Sequence, residues 1–177
     1  DVSQETGIAA YFGKGMSVSF ADYDGDGFID AFVANDTTPA FLFHNLGGKK
    51  FEEVGVSAGV AYAPDGSTLS GMGSDFRDVN NDGRPDIWYT AVEHQSFPLL
   101  INSGHGDFED LTLASGLQAT SEMSGWSNGV FDFDNDGWKD LFAAASDVMY
   151  DVPMKSLVRH GAIDGSLPIT RSTFDRK

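Results

Sequence analysis

Aspartates at alternate positions of a short, glycine-containing stretch are the residues of this chain best suited to chemistry. Residues 22–30 read D-Y-D-G-D-G-F-I-D. Alternate side chains of a tight loop converge on one point, so these carboxylates form an oxygen cage for a hard divalent cation. Calcium fits this cage because it takes about six to eight oxygen ligands in flexible geometry, whereas zinc prefers nitrogen or sulfur. The stretch therefore predicts a calcium site.

Each position of the loop has a role in this interpretation. Asp22, Asp24 and Asp26 supply side-chain oxygens. Phe28 supplies a backbone carbonyl oxygen, and Asp30 supplies a final carboxylate that is able to bind in bidentate fashion. The glycine that follows Asp26 allows the backbone to turn sharply.

The loop occurs three times, which makes a chance acidic turn a poor explanation. Residues 78–86 read D-V-N-N-D-G-R-P-D, residues 132–140 read D-F-D-N-D-G-W-K-D, and the first positions are 56 and then 54 residues apart. We predict about three calcium sites. The ligands expected in the second and third loops are Asp78, Asn80, Asp82, the carbonyl of Arg84, Asp86, Asp132, Asp134, Asp136, the carbonyl of Trp138 and Asp140.

The chain repeats itself around these loops, and the repeat predicts the fold. Each unit opens on a similar segment, runs through a short strand-like segment into the loop, and continues with apolar runs separated by glycine, asparagine and proline. Four short strands in a repeat of about 50–60 residues are typical of one β-propeller blade. We expect an all-β protein of three four-stranded blades in a single repeat domain, residues 1–177. The predicted units are residues 1–50, 51–107 and 108–160, followed by an irregular tail, residues 161–177.

Composition excludes several classes of function. The net charge is −16, which argues against nucleic acid and anionic membrane surfaces as partners. The chain has no cysteine, so it forms no disulfide and has no thiol nucleophile. No apolar run approaches the roughly 20 residues of a membrane helix, so we expect no membrane insertion. Weak calcium sites suit the millimolar calcium outside cells, and we expect an extracellular or cell-surface location.

The repeated unit, with D-Y-D-G-D-G in its loop and L-F-x-N-x-G after it, resembles the FG-GAP or VCBS-type repeat of integrin α-chain propellers. It is particularly similar to repeats that precede ASPIC/UnbV-type domains. The resemblance covers about residues 1–145 and implies that the loop joins the first two strands of a blade and holds calcium. Propellers of this family are closed rings of about seven blades, and three units cannot close alone. The resemblance therefore implies a part of a larger propeller, an open array, or a ring completed by other chains.

Other residues carry weaker signals. The four histidines, His44, His94, His105 and His160, show no metal-binding spacing, and we interpret them as packing or surface residues. Residues 35–37 read N-D-T, an acceptor tripeptide for N-glycosylation if the chain is exported. Aromatic residues at repeated positions favour blade cores over sugar-binding platforms, with Trp138 expected to be partly exposed. These aromatic residues are Trp88, Trp126 and Trp138, with Phe12 and Tyr62.

Non-catalytic binding is the function that the sequence favours. Carboxylates neutralised by calcium make poor general acids, so we do not expect an enzyme. The leading hypothesis is a calcium-stabilised extracellular scaffold for adhesion, ligand binding or assembly, with a protein or polysaccharide ligand. Two alternatives stay open: a self-assembling protein that forms fibres or rings through open blade edges, and an accessory propeller segment of a secreted carbohydrate-active enzyme.

Overall fold

The computed structural model describes residues 1–146 and the backbone of two further segments, Lys155–Arg159 and Thr170–Ser172. This part of the chain forms three four-stranded antiparallel sheets, each in sequential strand order. The first sheet contains β1 (Gly15–Ala21), β2 (Asp30–Asn35), β3 (Phe41–Leu46) and β4 (Lys50–Glu53). The second contains β5 (Gly71–Arg77), β6 (Asp86–Ala91), β7 (Leu99–Asn102) and β8 (Phe108–Asp110). The third contains β9 (Ser124–Phe131), β10 (Asp140–Ser146), β11 (Lys155–Arg159) and β12 (Thr170–Ser172).

The predicted all-β fold with four strands per unit is confirmed, and the sheets are consistent with propeller-type blades. Helical structure within the described part of the chain is confined to segments of three to six residues, such as α1 (Ser3–Thr6), and none is long or apolar enough to cross a membrane.

The second sheet is buried on both faces because it lies between the other two. On one face, Ile87 and Tyr89 of β6 pack with Phe32 of the first sheet. On the other face, Trp88 packs in a cluster that includes Leu141 of the third sheet. Side chains alternate along a strand, so consecutive residues of β6 point into different cores. This explains why β6 is apolar without alternation and is buried along its whole length.

The first strands of the three sheets, β1, β5 and β9, lie side by side and bring the sheets together. Ser17 Oγ and Ser74 Oγ are 2.9 Å apart across the first junction. At the second junction, the backbone N–H of Val130 donates to Asp75 Oδ2 at 2.9 Å. Gly73 permits this approach, since a Cβ there would lie 2.6 Å from Ser127 Cα. Polar contacts therefore join the first strands of the sheets, while apolar side chains fill the space between neighbouring sheets.

A helical turn precedes each sheet and ends on a glycine. Gly7, Gly59 and Gly116 all have positive φ, of 87°, 77° and 74°. This left-handed conformation stops the turn at no steric cost. The side chain of the residue after the glycine points into the interior in the second and third units, where Val60 and Leu117 are fully buried. The repeated opening segment is thus a capped turn that directs an apolar side chain inward.

The predicted unit boundaries and tail need correction. β4 spans the boundary predicted after residue 50, and β8 lies wholly after the boundary predicted at residue 107, so these sheets end three residues beyond the predicted boundaries, at Glu53 and Asp110. Their edge strands run straight into the opening segments of the next units, which is why the repeat pattern placed the boundaries too early. The tail is not irregular throughout, because β12 pairs with β11. The remainder of residues 147–177 lies outside the described part of the chain.

Asn35 is a poor glycosylation site in this fold. It ends β2, only 2% of its surface is exposed, and its amide donates to the carbonyl oxygen of Pro39 at 2.7 Å. The acceptor tripeptide of residues 35–37 therefore has its asparagine buried, and an attached glycan would require this edge of the sheet to open.

Burial of the second sheet on both faces predicts that two leucine-to-alanine substitutions differ greatly in their effect on the free energy of unfolding. Leu99 is fully buried in the core between the second and third sheets, whereas Leu113 is 73% exposed. We expect Leu99→Ala to lower the free energy of unfolding by about 2–5 kcal/mol through lost burial and a residual cavity. Leu113→Ala should change it by less than about 0.5 kcal/mol. Urea denaturation of both variants measures this, and equal losses would contradict the assigned core.

Candidate metal centres

All three acidic loops occupy the same place in their sheets. The loops connect β1 to β2, β5 to β6 and β9 to β10, as the repeat resemblance implies. Adjacent loops also touch, since the side-chain amide of Asn81 in the second loop donates to the carbonyl oxygen of Gly137 in the third at 2.7 Å. The loops therefore form one row at the same end of neighbouring sheets.

The first loop brings its alternate aspartates together as predicted. Ligand atoms of Asp22, Asp24 and Asp26 all lie within 4.8 Å of one another. Asp22 is held by N–H donors from Gly25 and Gly27, at 2.8 and 3.0 Å. These hydrogen bonds orient the carboxylate of Asp22 and hold the loop in shape without a cation.

The third loop has the same arrangement, and the second resembles it. Asp132, Asp134 and Asp136 also place ligand atoms within 4.8 Å of one another. The first aspartate of each of these loops accepts two backbone N–H groups, including that of the loop glycine, at 2.9 Å in both. The repeated sequence thus produces a repeated local geometry.

Two positions of each loop adopt the left-handed backbone conformation. The predicted sharp turn lies at Gly27, Gly83 and Gly137, with φ of 89°, 87° and 93°. Sequence reasoning missed the second such position, which is Gly25 in the first loop and an asparagine in the others. Asn81 and Asn135 have φ of 61° and 62°. Asparagine is among the few side chains that tolerate this conformation, so its repetition was the available signal.

The final aspartate of each loop is a buried structural clamp. Asp30, Asp86 and Asp140 are at most 1% exposed. Asp30 Oδ2 accepts the N–H of Tyr23 at 3.1 Å, and Asp30 Oδ1 accepts the N–H of Asn45 at 2.8 Å. Its carboxylate therefore ties the start of the loop to β3. The role predicted from sequence was cation binding alone.

Asp86 makes the same pair of hydrogen bonds in the second sheet, and Asp140 makes the bond to the start of the loop in the third. Asp86 accepts N–H groups from Val79 at 2.8 Å and from Asn102 at 2.9 Å. Asp140 Oδ2 accepts the N–H of Phe133 at 2.8 Å. A carboxylate oxygen has two lone pairs, so these bonds leave capacity for a cation, and the ligand role stays a prediction.

An asparagine in the third strand, missed by sequence reasoning, completes the clamp. Asn45 Nδ2 donates to the carbonyl oxygen of Ile29 at 2.9 Å, and Asn45 Oδ1 accepts the N–H of Gly48 at 2.8 Å. Asn102 makes the matching bonds and also donates to the carbonyl oxygen of Tyr23 in the first loop, at 2.8 Å. Its repetition at the end of the third strand, at Asn45 and at Asn102, was the signal that could have identified its role.

Burial and neighbouring carboxylates disfavour the charged forms of several acidic groups in the loops. Burial raises the pKa of the Asp86 carboxyl to about 6, against the opposing N–H bonds from Asn102 and Val79. Burial also raises the pKa of Asp30. The pKa of Tyr23 rises to about 12 because its hydroxyl is buried and next because Asp24 lies nearby. A cation in the loop would oppose each of these effects.

The donor set fits calcium best in the first and third loops. Both offer three clustered aspartates with only oxygen donors in the loop itself. In the second loop, Asp82 Oδ2 accepts bonds from Asn80 Nδ2 and from the guanidinium of Arg84. An internal cation therefore already neutralises part of that loop. The backbone carbonyls of Phe28, Arg84 and Trp138 remain predicted ligands.

One histidine interpreted as a packing residue lies beside the first loop. His44 Nδ1 is 3.3 Å from Asp24 Oδ2 and 3.4 Å from Asp30 Oδ1. Ligand atoms of the three residues lie within 4.8 Å of one another. Sequence reasoning missed this because the partners are 14 and 20 residues away along the chain.

The aromatic residues divide between core and surface. Trp88 is fully buried, as expected for a blade core. Trp126 and Trp138 are 45% and 41% exposed, and Phe12 and Tyr62 also reach solvent. The partial exposure expected for Trp138 is therefore observed, while Trp126 and Phe12 differ from the core positions expected for repeated aromatics.

These sheets and loops define a class, that of all-β repeat proteins with four antiparallel strands per repeat. Comparison with known proteins gives the family: residues 22–89 and 78–143 match the FG-GAP-like repeat, and the chain belongs to this family.

The curated relatives are much longer than this chain. It is 32% identical to Cartilage acidic protein 1 of Mus musculus over 142 residues, which are 80% of this chain and 21% of that protein. It is 35% identical to Cartilage acidic protein 1 of Homo sapiens over 115 residues, 65% of this chain and 17% of that protein. The chain thus spans about a fifth of the length of these relatives.

The clamp role of Asp30 predicts that two aspartate-to-asparagine substitutions differ in their effect on stability. The comparison is made in excess chelator, so that loss of a bound cation does not contribute. Asp30→Asn should lower the free energy of unfolding by about 1–3 kcal/mol, because an amide NH2 would face a buried N–H donor. Asp24→Asn should have little effect, since asparagine occupies the equivalent position 80 of the second loop. Thermal denaturation in excess chelator measures both, and a loss for Asp24→Asn as large as that for Asp30→Asn would contradict the clamp.

Proposed function

We propose that this chain is a calcium-stabilised, non-catalytic segment of an extracellular β-propeller-type scaffold, with repeats of the VCBS calcium-binding type. The observation that carries the proposal is the repeated geometry of the loops, in which backbone N–H groups aim alternate carboxylates at a common point. Because the loops join the inner two strands of each sheet, cation binding there would stabilise the sheets rather than act on a substrate.

The residues that would hold calcium are those predicted from the sequence, with the final aspartate also clamping the loop. Calcium would supply positive charge to a group of carboxylates that otherwise repel one another. The chain itself supplies preorganisation, since the first aspartate of each loop accepts two backbone N–H groups whether or not a cation is bound. Folding and calcium binding are therefore thermodynamically coupled.

The relatives and the charge support an extracellular location. The similar proteins are named for cartilage and for acidity, and this chain carries a net charge of −16. Calcium sites made mainly of exposed carboxylates suit the millimolar calcium concentrations outside cells. The partner of the scaffold would be a protein or polysaccharide.

A second candidate function, assembly with further blades, is favoured by the outer face of the first sheet. Val18 and Phe20 are 50% and 62% exposed and lie on the face opposite Phe32, which packs against the second sheet. Tyr11 covers only part of this outer face, through ring contacts with Phe41 and Phe43.

The third sheet also has aromatic side chains on its outer face. Phe131, Phe133 and Phe142 form a ring cluster with centroid separations of 5.8 and 6.1 Å, and the first two are about half exposed. Apolar sheet faces of this kind are covered by neighbouring blades in a propeller. For the 177-residue chain on its own, the occupant that fits is a blade of a second copy.

Removal of calcium should destabilise the chain. We expect titration calorimetry to detect about three calcium ions per chain, and excess chelator to lower the melting temperature by a large margin. Saturation at about 100 times the dissociation constant contributes about 2.7 kcal/mol per independent site. Magnesium, which demands octahedral geometry and keeps its waters, should restore little of the loss. An unchanged melting curve in chelator would refute structural calcium.

Self-association should depend on the outer face of the first sheet. Light scattering during size-exclusion chromatography in millimolar calcium should show a mass above that of one chain, and Phe20→Ser should shift it towards the monomer. Val56→Ser is the matched control, because Val56 is 66% exposed but lies in the turn after β4. A wild-type monomer at high concentration, or equal effects of both substitutions, would exclude this assembly.

A further inference from the structure

A groove lies at the end of the second sheet that is opposite the acidic loops. An antiparallel sheet in sequential order has its connections at alternate ends, so the segment before β5, the β6–β7 connection and the segment after β8 meet there. Together they line a groove of about 750 Å³. Ligand pockets commonly have volumes of about 300–1,000 Å³. The groove therefore has the size of a ligand site, and none of the described residues that line it belongs to an acidic loop.

The second unit is longer than the other two where it forms one wall of this groove. From the capping glycine of the opening turn to the first aspartate of the acidic loop, it advances 19 positions, against 15 in the first unit and 16 in the third. These stretches are residues 59–78, 7–22 and 116–132. The longer stretch contains a tight turn, in which the N–H of Ala63 donates to the carbonyl oxygen of Ser67 at 3.0 Å. Insertions into one repeat often lie on the binding face of a repeat protein.

Hydrogen bonds hold the walls of the groove in place. Gln95 Oε1 accepts the N–H of Ser70 at 2.7 Å, which ties the β6–β7 connection to the start of β5. Thr112 Oγ1 accepts the N–H of Leu99 at 3.0 Å, which ties the segment after β8 to β7. The groove is therefore formed by the fold itself, and a ligand that enters it does not have to order its walls.

The backbone also fixes the point at which His94 leaves the β6–β7 connection. His94 has a φ of 70°, and its N–H donates to the carbonyl oxygen of Ser121 at 2.8 Å. In the β2–β3 connection of the first sheet, Thr37 has a φ of 58°, and its N–H donates to the carbonyl oxygen of Leu69 at 3.0 Å. This conformation joins each of the two sheets to the segment before the next one. The backbone is therefore common to both units, whereas the side chain that it presents differs.

The polar groups of the groove require a ligand that both donates and accepts hydrogen bonds. Within the described part of the chain, the side chains of His94, Ser96 and Gln118 form no hydrogen bond. Gln95 uses its Oε1 for the wall, which leaves its NH2 group to meet an acceptor on the ligand. Asp110 uses Oδ1 for the N–H of Thr112 at 2.8 Å, which leaves Oδ2 to meet a donor. A hydroxyl group satisfies both needs, whereas an ammonium or guanidinium group accepts no hydrogen bond.

The charge of the lining excludes acidic ligands. Asp65 and Asp110 both line the groove, and no lysine or arginine is found among its described lining residues. Carboxylates repel the sulfate and carboxylate groups of acidic polysaccharides at these short distances. An uncharged polyhydroxyl compound, such as a neutral sugar, therefore matches both the charge and the hydrogen-bonding groups of the lining.

A second groove of about 300 Å³ adjoins the first and shares Ala63, Pro64 and Asp110 with it. The ring of Tyr62 lines this smaller groove and is 42% exposed. A tyrosine ring offers an apolar face with a polar tip, which suits a sugar ring with its alternating C–H and hydroxyl groups. Two grooves in continuity have room for linked sugar units rather than for a single one.

We propose that these two grooves bind a neutral oligosaccharide chain. Gln95, His94 and Gln118 form hydrogen bonds with its hydroxyl groups, and one sugar ring packs on Tyr62. The inference rests on the proposed function, because it names the class of ligand that the scaffold binds and the surface that binds it. The acidic loops lie at the other end of the sheets and take no part in it.

The test applies the labelled 177-residue chain, in millimolar calcium, to an array of immobilised oligosaccharides. The array carries neutral oligomers of glucose, galactose, mannose and N-acetylglucosamine, sulfated and uronic acid oligomers, and an arginine-rich peptide. We expect binding to at least one neutral oligomer and none to the acidic oligomers or the peptide. Backbone amide spectra recorded with the bound oligomer should show shifts in residues 94–98 and 110–118 and not in the acidic loops.

Two substitutions in the groove should weaken this binding. We expect Gln118→Ala and His94→Asn each to lower the affinity for the neutral oligomer about threefold to tenfold through loss of a hydrogen bond. Asparagine tolerates the positive φ of position 94, so the loop is kept. The matched controls are Gln4→Ala, at an exposed position of α1, and His105→Asn, at an exposed position in the turn after β7. Both controls should bind as tightly as the wild type.

Three results would overturn the inference: no neutral oligomer bound, binding confined to the acidic oligomers or the peptide, or equal affinities of the groove variants and the wild type. The melting temperature in chelator tests the calcium-stabilised scaffold separately. A chain that calcium stabilises but that binds no neutral oligomer contradicts this inference alone, whereas a chain that chelator leaves unchanged contradicts the proposed function.

Discussion

In each of the first two sheets of this protein, a buried carboxylate accepts backbone N–H groups from two elements and ties the acidic loop to the third strand. Asp30 and Asp86 each connect the start of an acidic loop to the third strand of the sheet. Burial of a charge is costly, and the other loop carboxylates lie nearby, so the arrangement raises the pKa of both residues. The N–H donors offset part of this cost, and a cation would offset more. The clamp therefore shapes the loop at an electrostatic cost that a bound cation would reduce.

The loops are also part of the contacts between sheets. Asn102, which completes the clamp of the second sheet, donates to the carbonyl oxygen of Tyr23 in the first loop, and Asn81 joins the second loop to the third. Hydrogen bonds therefore connect the first loop to the second sheet and the second loop to the third. This continuity explains how small sheets of three- to eight-residue strands form one structure, since none of them could bury both of its faces alone.

Local repetition allowed the loops, the strand number and the turning glycines to be predicted from the sequence. Features that depend on distant partners or on side-chain rotamers were missed. The clamp role of Asp30 requires Asn45 from another strand, and the neutralisation of Asp82 by Arg84 depends on a side-chain rotamer. His44 was interpreted as a packing residue because it follows Phe43 in an apolar run. Boundaries were displaced by three residues because edge strands continue directly into the next opening segment.

The third strand changes the surroundings of the loop that faces it. The residue before the clamp asparagine is His44 in the first sheet, where Nδ1 lies 3.3 Å from Asp24 Oδ2, and Ile101 in the second, where the side chain packs against the core between the second and third sheets. A single position can thus add or remove an imidazole beside the carboxylates while the aspartate pattern stays intact. Blades with similar loop sequences therefore differ in the side chains around their carboxylates. The loop sequence places the aspartates, and the residue from β3 or β7 decides whether an ionisable side chain lies next to them.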